Sequence, residues 1–151
     1  MPENKSRFDR AISFAYSEAR RVSNIAALPE RVRTVIMVDA AQGVIDNGGL
    51  QYFFEMDFPD KPPYSDFINA YRRIGAVDAA AAMERAVALF PLKEPHLHVS
   101  KRNKFMDSFK NKEGDEINSP FTPLTDLLCG NKNVWRQLEA FIERNAKQLG
   151  V

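Results

Sequence analysis

Asp39, Gln42 and Asp46 fall within one narrow sector of a helix, because steps of three and four return to the same face. Two carboxylates and an amide on an otherwise apolar helix could hold a cation or work as an acid–base pair. A helical di-metal site needs more: further carboxylates and, as a rule, histidines at i, i+3 on facing helices. The two histidines here, His96 and His98, both lie outside the helical pattern. The stripe therefore reads as solvent-facing or capping, in keeping with the scarcity of buried charge. His96-Leu97-His98 sets two imidazoles on one side of an extended segment beside Glu94. No cysteine pair or HExxH motif accompanies them to complete the set that zinc takes. No metal and no cofactor is expected.

Nucleophilic chemistry has as little support. Cys129, the one cysteine, sits near a helix C-terminus, the wrong end of the dipole to activate a thiol. The chain has no G-x-S-x-G, no G-x-G-x-x-G and no phosphate-cradling loop. Gly48-Gly49 lacks the preceding strand and the following Lys-Ser or Lys-Thr of a nucleotide loop. The expectation is a protein that is not an enzyme. The basic run Lys101-Arg102-Asn103-Lys104 could touch phosphates, yet Phe105, Met106 and Phe109 fit the buried face of the same helix. No direct nucleic-acid partner is expected.

Charge supports that reading. Lys+Arg 21 against Asp+Glu 20 gives a net +1. From Asp39 to Asp60 there are five acids and no base, and from Lys101 to Lys112 five bases against one acid. Single-sign runs this short are ordinary solvated faces. At 151 residues, 44% hydrophobic and 27% charged, the chain fits one soluble domain able to bury a core unaided. The lone cysteine excludes an internal disulfide, the first residues lack the apolar core of a secretion signal, and no stretch is long enough to span a bilayer. A cytoplasmic protein away from membranes is expected.

The elements that would position these residues are helices nearly throughout. Phe8, Ile12, Ala15, Ala19, Val22 and Ala26 make one stripe on a first helix, about residues 5–27. Pro29 suits the first turn of a second, about 29–45, whose apolar residues on almost every side mark it as the central one. Ser65 is the expected cap of a helix bearing Phe67, Ala70, Tyr71 and Ile74, and Asp78 of an alanine-rich helix ending at Phe90-Pro91. An amphipathic helix spans 100–110, a polar loop 111–120 and a short helix follows Thr122-Pro123. Asn133 would cap a last helix bearing Trp135, a core or dimer-seam anchor. No alternating β-branched run predicts a strand. The fold class is all-α, a single compact bundle of about seven or eight helices, with residues 1–151 one domain.

The most informative segment is Asp46-Asn47-Gly48-Gly49-Leu50-Gln51-Tyr52-Phe53-Phe54. Gly48 or Gly49 should end the second helix, and Leu50 to Glu55 form a short helical turn. Asn47, Gly48 and Gly49 would turn the chain, Tyr52, Phe53 and Phe54 would lock that turn into the core, and Gln51 would satisfy freed carbonyls.

Together with Tyr71 to Ile74-Gly75-Ala76, Leu89-Phe90-Pro91, Arg102, and Trp135 through Phe141-Ile142 to Asn145, this segment resembles a bacterial family of mostly uncharacterised helical domains. That family is typified by a DNA-mimic protein that binds a transcriptional repressor. The resemblance covers about residues 39–149 and leaves the first helix outside. It implies an all-α fold and a non-enzymatic, protein-binding role, with a homodimer compatible with it. The resemblance does not safely transfer DNA mimicry, because imitating a row of phosphates needs an acid excess that +1 does not supply; Asp39, Asp46, Glu55, Asp57 and Asp60 are the local candidates for such a surface. The partner expected is a protein, a transcription regulator or a toxin. Its contact surface would be the acidic–aromatic segment from Glu55 to Tyr64, with Asp46, Glu55, Met56, Asp57, Phe58 and Asp60 as candidate residues. Two alternatives remain open: an immunity-type protein that neutralises a toxin, and a small enzyme or ligand binder with a pocket near the double-glycine turn.

Overall fold

Ser6 opens the first helix by accepting the Asp9 N–H at 3.0 Å, and α1 runs Arg7–Ala19. The computed structural model describes residues 4–151. The helix stops seven residues short of Ala26, because Asn24 instead caps a 3-10 turn, Ile25–Ala27, by accepting the Ala26 N–H at 2.8 Å. A short polar side chain that can bond its own backbone competes with helix continuation.

Pro29 precedes α2, Glu30–Glu55, in which thirteen residues are buried. There follow α3 (Tyr64–Arg73), α4 (Val77–Val87), α5 (Val99–Asp107), α6 (Thr122–Leu128) and α7 (Lys132–Arg144). Helix α2 packs against α1, α3, α5, α6 and α7, so the element whose apolar residues face all ways is the axis of the bundle. In α4 the buried residues include Ala79, Ala80 and Ala82, which let α3 and α6 approach closely. A final 3-10 turn, Ala146–Leu149, folds back onto α1 and α2.

The all-α architecture matches the periodicity, and three helix starts differ from it. Proline at position 63, not Ser65, precedes α3; Ala76, not Asp78, precedes α4. Asn131 rather than Asn133 caps α7, accepting the N–H groups of Asn133 and Val134 at 3.0 and 3.3 Å. The histidine segment forms a 3-10 turn, Pro95–Leu97, rather than an extended loop, and His96 sets its ring edge-on to Tyr64. Among the described residues the only β pairing is an isolated bridge between Lys110 and Glu116, which folds the expected polar loop back on itself. No described helix is long and apolar enough to cross a membrane.

Candidate functional site

Helix α2 is two limbs joined at a corner, where Gly48 (φ −158°, ψ 17°) and Gly49 (φ 68°, ψ −165°) leave helical geometry. Each glycine is needed for its own reason. Gly49 occupies a positive-φ region that side chains disfavour, and a Cβ there would stand 2.7 Å from Thr125 Cγ2. A Cβ on Gly48 would meet the Tyr52 ring at 2.2 Å. The ring therefore lies back over Gly48 instead of entering the core, and Tyr52 is 53% exposed. This corrects the expectation that Tyr52 plugs the corner; Phe53 and Phe54 do so, both fully buried. Phe53 sits against Phe58, Tyr64 and Phe67, and Phe54 against Tyr64, Phe90 and Phe121. Gln51 departs as well: its amide donates to Glu55 on the next turn, not to a freed carbonyl. Asn47 is exposed at the bend.

The polar stripe before the corner faces inward rather than to solvent. Gln42 is fully buried; its amide nitrogen donates to Asp46 Oδ1 and to the Leu128 carbonyl, each at 2.8 Å, and its oxygen accepts the Tyr71 hydroxyl at 2.8 Å. Asp46 Oδ1 also accepts the Gly130 N–H at 2.8 Å, and Oδ2 accepts the Trp135 indole at 2.9 Å. The chain Tyr71–Gln42–Asp46–Trp135 thus ties the corner to α3, to the end of α6 and to α7. Burial pushes the Tyr71 phenol well above its ordinary pKa, and the Asp46 charge adds to the effect. Asp46 was a candidate for the partner surface. It is half-buried with its oxygens committed internally, so it belongs to the scaffold.

Asp39 lies farther back on α2 and accepts the Tyr16 hydroxyl at 2.8 Å, joining α1 to α2. Burial raises its carboxyl pKa and the Tyr16 hydrogen bond offsets part of that. The Tyr16 phenol is pushed up by burial, then by the hydrogen bond to Asp39 and its charge.

The C-terminal end of α2 is held by a residue that the sequence presents as part of an ordinary solvated basic run. Arg102 is 1% exposed. Its Nε donates to the Phe54 carbonyl at 2.9 Å, Nη2 to Met56 at 2.9 Å and Nη1 to Pro95 at 2.8 Å, with the guanidinium 5.9 Å from the Tyr64 ring centre. A cation here satisfies carbonyls left over at the end of α2 and lies at the favourable pole of the helix dipole. The signal for it was faint: one arginine a single step from an apolar stripe.

Beyond α2 the chain forms a proline-rich lip, residues 56–63. Glu55, Met56, Asp57 and Asp60 are exposed, with Met56 at 41%. Asp57 pairs with Lys61 at 2.9 Å. Asp60 and Lys61 take positive φ, 65° and 45°, held by the Lys61 N–H donating to the Phe58 carbonyl at 3.0 Å. Two candidate surface aromatics lie deeper than expected. Phe58 is half-buried against Phe53 and Phe67, and Tyr64 is buried, its phenol raised to about 12 chiefly by desolvation.

The lip walls a cleft whose opposite side is the end of α1 and the 3-10 turn after it. One compartment, about 210 Å³, is almost wholly apolar and includes Ile36, Met37, Ala40, Phe58 and Phe67. A second, about 330 Å³, bears Arg33, Arg73, Asp60 and Asp66. Neither is lined by Asn47 or Gln51, so the cleft is not a pocket at the double-glycine turn. Among the described residues no group of three or more His, Cys, Asp or Glu side chains is arranged to hold a metal ion.

A helical domain built on a kinked central helix, with an inward polar network at the bend and a cleft beside its end, is the class that these features define. The model of the DMP19-like protein family, named for DNA mimic protein 19, matches residues 26–145, and the chain belongs to that family. The match takes in the whole of α2 through α7 and begins after α1. No curated protein and no solved structure matches the chain.

Proposed function

We propose that this protein works by holding another protein rather than by catalysis, and that its contact surface is Glu55 with the lip 56–63, together with the cleft behind it. The observation that carries the reading is the cleft itself: an apolar compartment walled on one side by Phe58, Pro59 and Pro62 of the lip, adjoining a second that bears Arg33, Arg73, Asp60 and Asp66. Apolar surface framed by polar groups is the usual anatomy of a recognition patch. The polar groups most suited to chemistry are engaged elsewhere, since Asp39, Gln42 and Asp46 each hold structural partners.

Membership of a DNA-mimic-like family favours a protein partner. The acids of this segment do not favour mimicry as the means. Of the five from Asp39 to Asp60, two are bonded inside the fold and Asp57 is paired with Lys61. Duplex DNA carries a charge about every 1.7 Å along its axis, a density the remaining Glu55 and Asp60 do not approach. The partner is held through mixed apolar and polar contacts instead.

The test is quantitative affinity capture from the native host, comparing the wild-type chain with the triple variant Glu55→Ser, Asp57→Ser, Asp60→Ser. All three sites are exposed, and an exposed pair such as Asp57–Lys61 contributes about 0.2–1 kcal/mol, so the melting temperature should move little. Loss of the captured partner is expected. Unaltered capture would remove the exposed acids Glu55, Asp57 and Asp60 from the contact.

A further inference from the structure

The cleft's two compartments share Ile25, Met37 and Pro62 and so adjoin along one channel-like cleft. The charges along it are sorted by position. Asp66 stands in the first turn of α3 and Arg73 in the last. Seven residues apart, they return to nearly the same face about 10 Å from one another. Arg73 is fixed beside the start of α2: its Nε lies 3.4 Å from Glu30 and its Nη1 donates to Thr34 Oγ1 at 3.1 Å. Arg33 lies at the same end and spends one nitrogen on the Ala26 and Leu28 carbonyls. The acidic end is Asp60 and Asp66, next to Phe67 and the dry compartment. Among the described residues, neither Arg33, Asp60 nor Asp66 forms a salt bridge.

We propose that this channel takes a short extended segment of a partner protein, read at three points. One bulky apolar side chain fills the dry compartment, a basic residue next to it faces Asp60 and Asp66, and an acidic residue faces Arg33 and Arg73. Side chains of an extended chain alternate sides at about 3.3 Å per residue, so the acidic residue stands an even step, about two or four positions, from the basic one in either chain direction. An apolar acid would satisfy the arginines but leave a carboxylate pair facing it, and a nucleic-acid strand would be repelled by that pair. A peptide can present both signs. The lip is already set by three prolines and two left-handed residues, so less ordering entropy opposes binding. This inference rests on the protein-binding reading and specifies what that surface recognises.

A random-peptide display selection on the immobilised full chain tests it, followed by fluorescence polarisation with the labelled consensus peptide. The enriched peptides are expected to share the apolar–basic–acidic pattern at that spacing. Ala40→Phe, which fills the dry compartment from a half-buried position on α2, should weaken the consensus peptide by about tenfold or more at unchanged melting temperature. Ala40→Leu serves if the larger ring unfolds the chain. Asp66→Lys should weaken it too, and a peptide with its basic residue changed to glutamate should recover most of the loss. No shared pattern, or binding indifferent to the residue at 40, overturns the proposal. If that happens while the triple serine variant still loses its host partner, the segment reading fails and the protein-binding reading stands. Retained capture by the triple variant alongside an enriched peptide motif would do the opposite, supporting the segment while removing the exposed acids of the lip from the host contact.

Discussion

Replacing Asp46 by alanine removes the acceptor shared by the Gln42 amide, the Gly130 N–H and the Trp135 indole. Hydrogen bonds to a charged group contribute about 1.5–3 kcal/mol each, and part of that sum is offset by the desolvation of the carboxylate itself. Gly130 is exposed and Trp135 only half-buried, so both donors can turn to water, while Gln42 keeps the Leu128 carbonyl. The net loss should be about 2–3 kcal/mol, within the upper range for single substitutions. For a chain of this size that lowers the melting temperature by about 5–10 °C. Asp46→Asn keeps one oxygen for Gln42 and Gly130 but sets an amide nitrogen against the indole, and should cost roughly half as much. Thermal denaturation gives the magnitude. Trp135, the chain's one tryptophan, reports the corner directly, and its emission should change in both variants. Partner capture by folded Asp46→Asn protein should be unaffected. A stability change in Asp46→Ala below about 0.5 kcal/mol, the ordinary surface value, would refute the network's role. Capture lost in a well-folded Asp46→Asn variant would return the residue to the partner surface.

Three further outcomes follow from the same contacts. Gly49→Ala forces a side chain into φ 68° and 2.7 Å from Thr125 Cγ2, costing about 1–3 kcal/mol for the backbone and a similar amount for the clash; urea denaturation showing a loss under about 1 kcal/mol would contradict this. Arg102→Met leaves the Phe54, Met56 and Pro95 carbonyls without their donor and should cost about 3–5 kcal/mol, with Arg102→Lys in between because a point charge cannot reproduce the fork. Equal stability of Arg102→Met and wild type in chemical denaturation would count against the clamp. In alkali, Tyr16, Tyr64 and Tyr71 all have folded pKa values above the ordinary 10.0, so their contribution to stability is complete below pH 10. It is lost above that as the unfolded phenols ionise first, and for Tyr64 the window closes at about 12. Tyrosinate absorbance should therefore rise for these three together with loss of helix by circular dichroism, and ionisation with the helix intact would contradict that.

The helices were legible because apolar side chains at steps of three and four are selected by burial that every globular helix needs. The corner was legible for a related reason: two adjacent glycines followed by aromatics leave few alternatives to a packed bend. What the sequence concealed were polar residues whose partners lie far along the chain. Gln42 bonds Leu128 across 86 positions, and Arg102 reaches Phe54 across 48. Nothing local distinguishes such an amide or guanidinium from a solvated one, since its burial is fixed only when distant carbonyls arrive. Tyr52 was misplaced for a local reason, the missing Cβ at Gly48 giving its ring a bed outside the core. The acids of the lip are exposed, as a charged, proline-rich stretch leads one to expect, but Phe58 and Tyr64 turn inward, and the cleft behind it requires α1, α2 and α3 to be assembled first.

The central claim is that the end of α2, its lip and the adjoining cleft hold a partner protein. Hydrogen exchange of the full chain, free and saturated with the protein it captures from its host, tests this most directly. Added protection should fall on residues 24–37 and 55–66 and leave α4 and residues 111–118 unchanged. Protection confined to α4 or to the exposed lysines of α5, with none along the lip, would contradict the account.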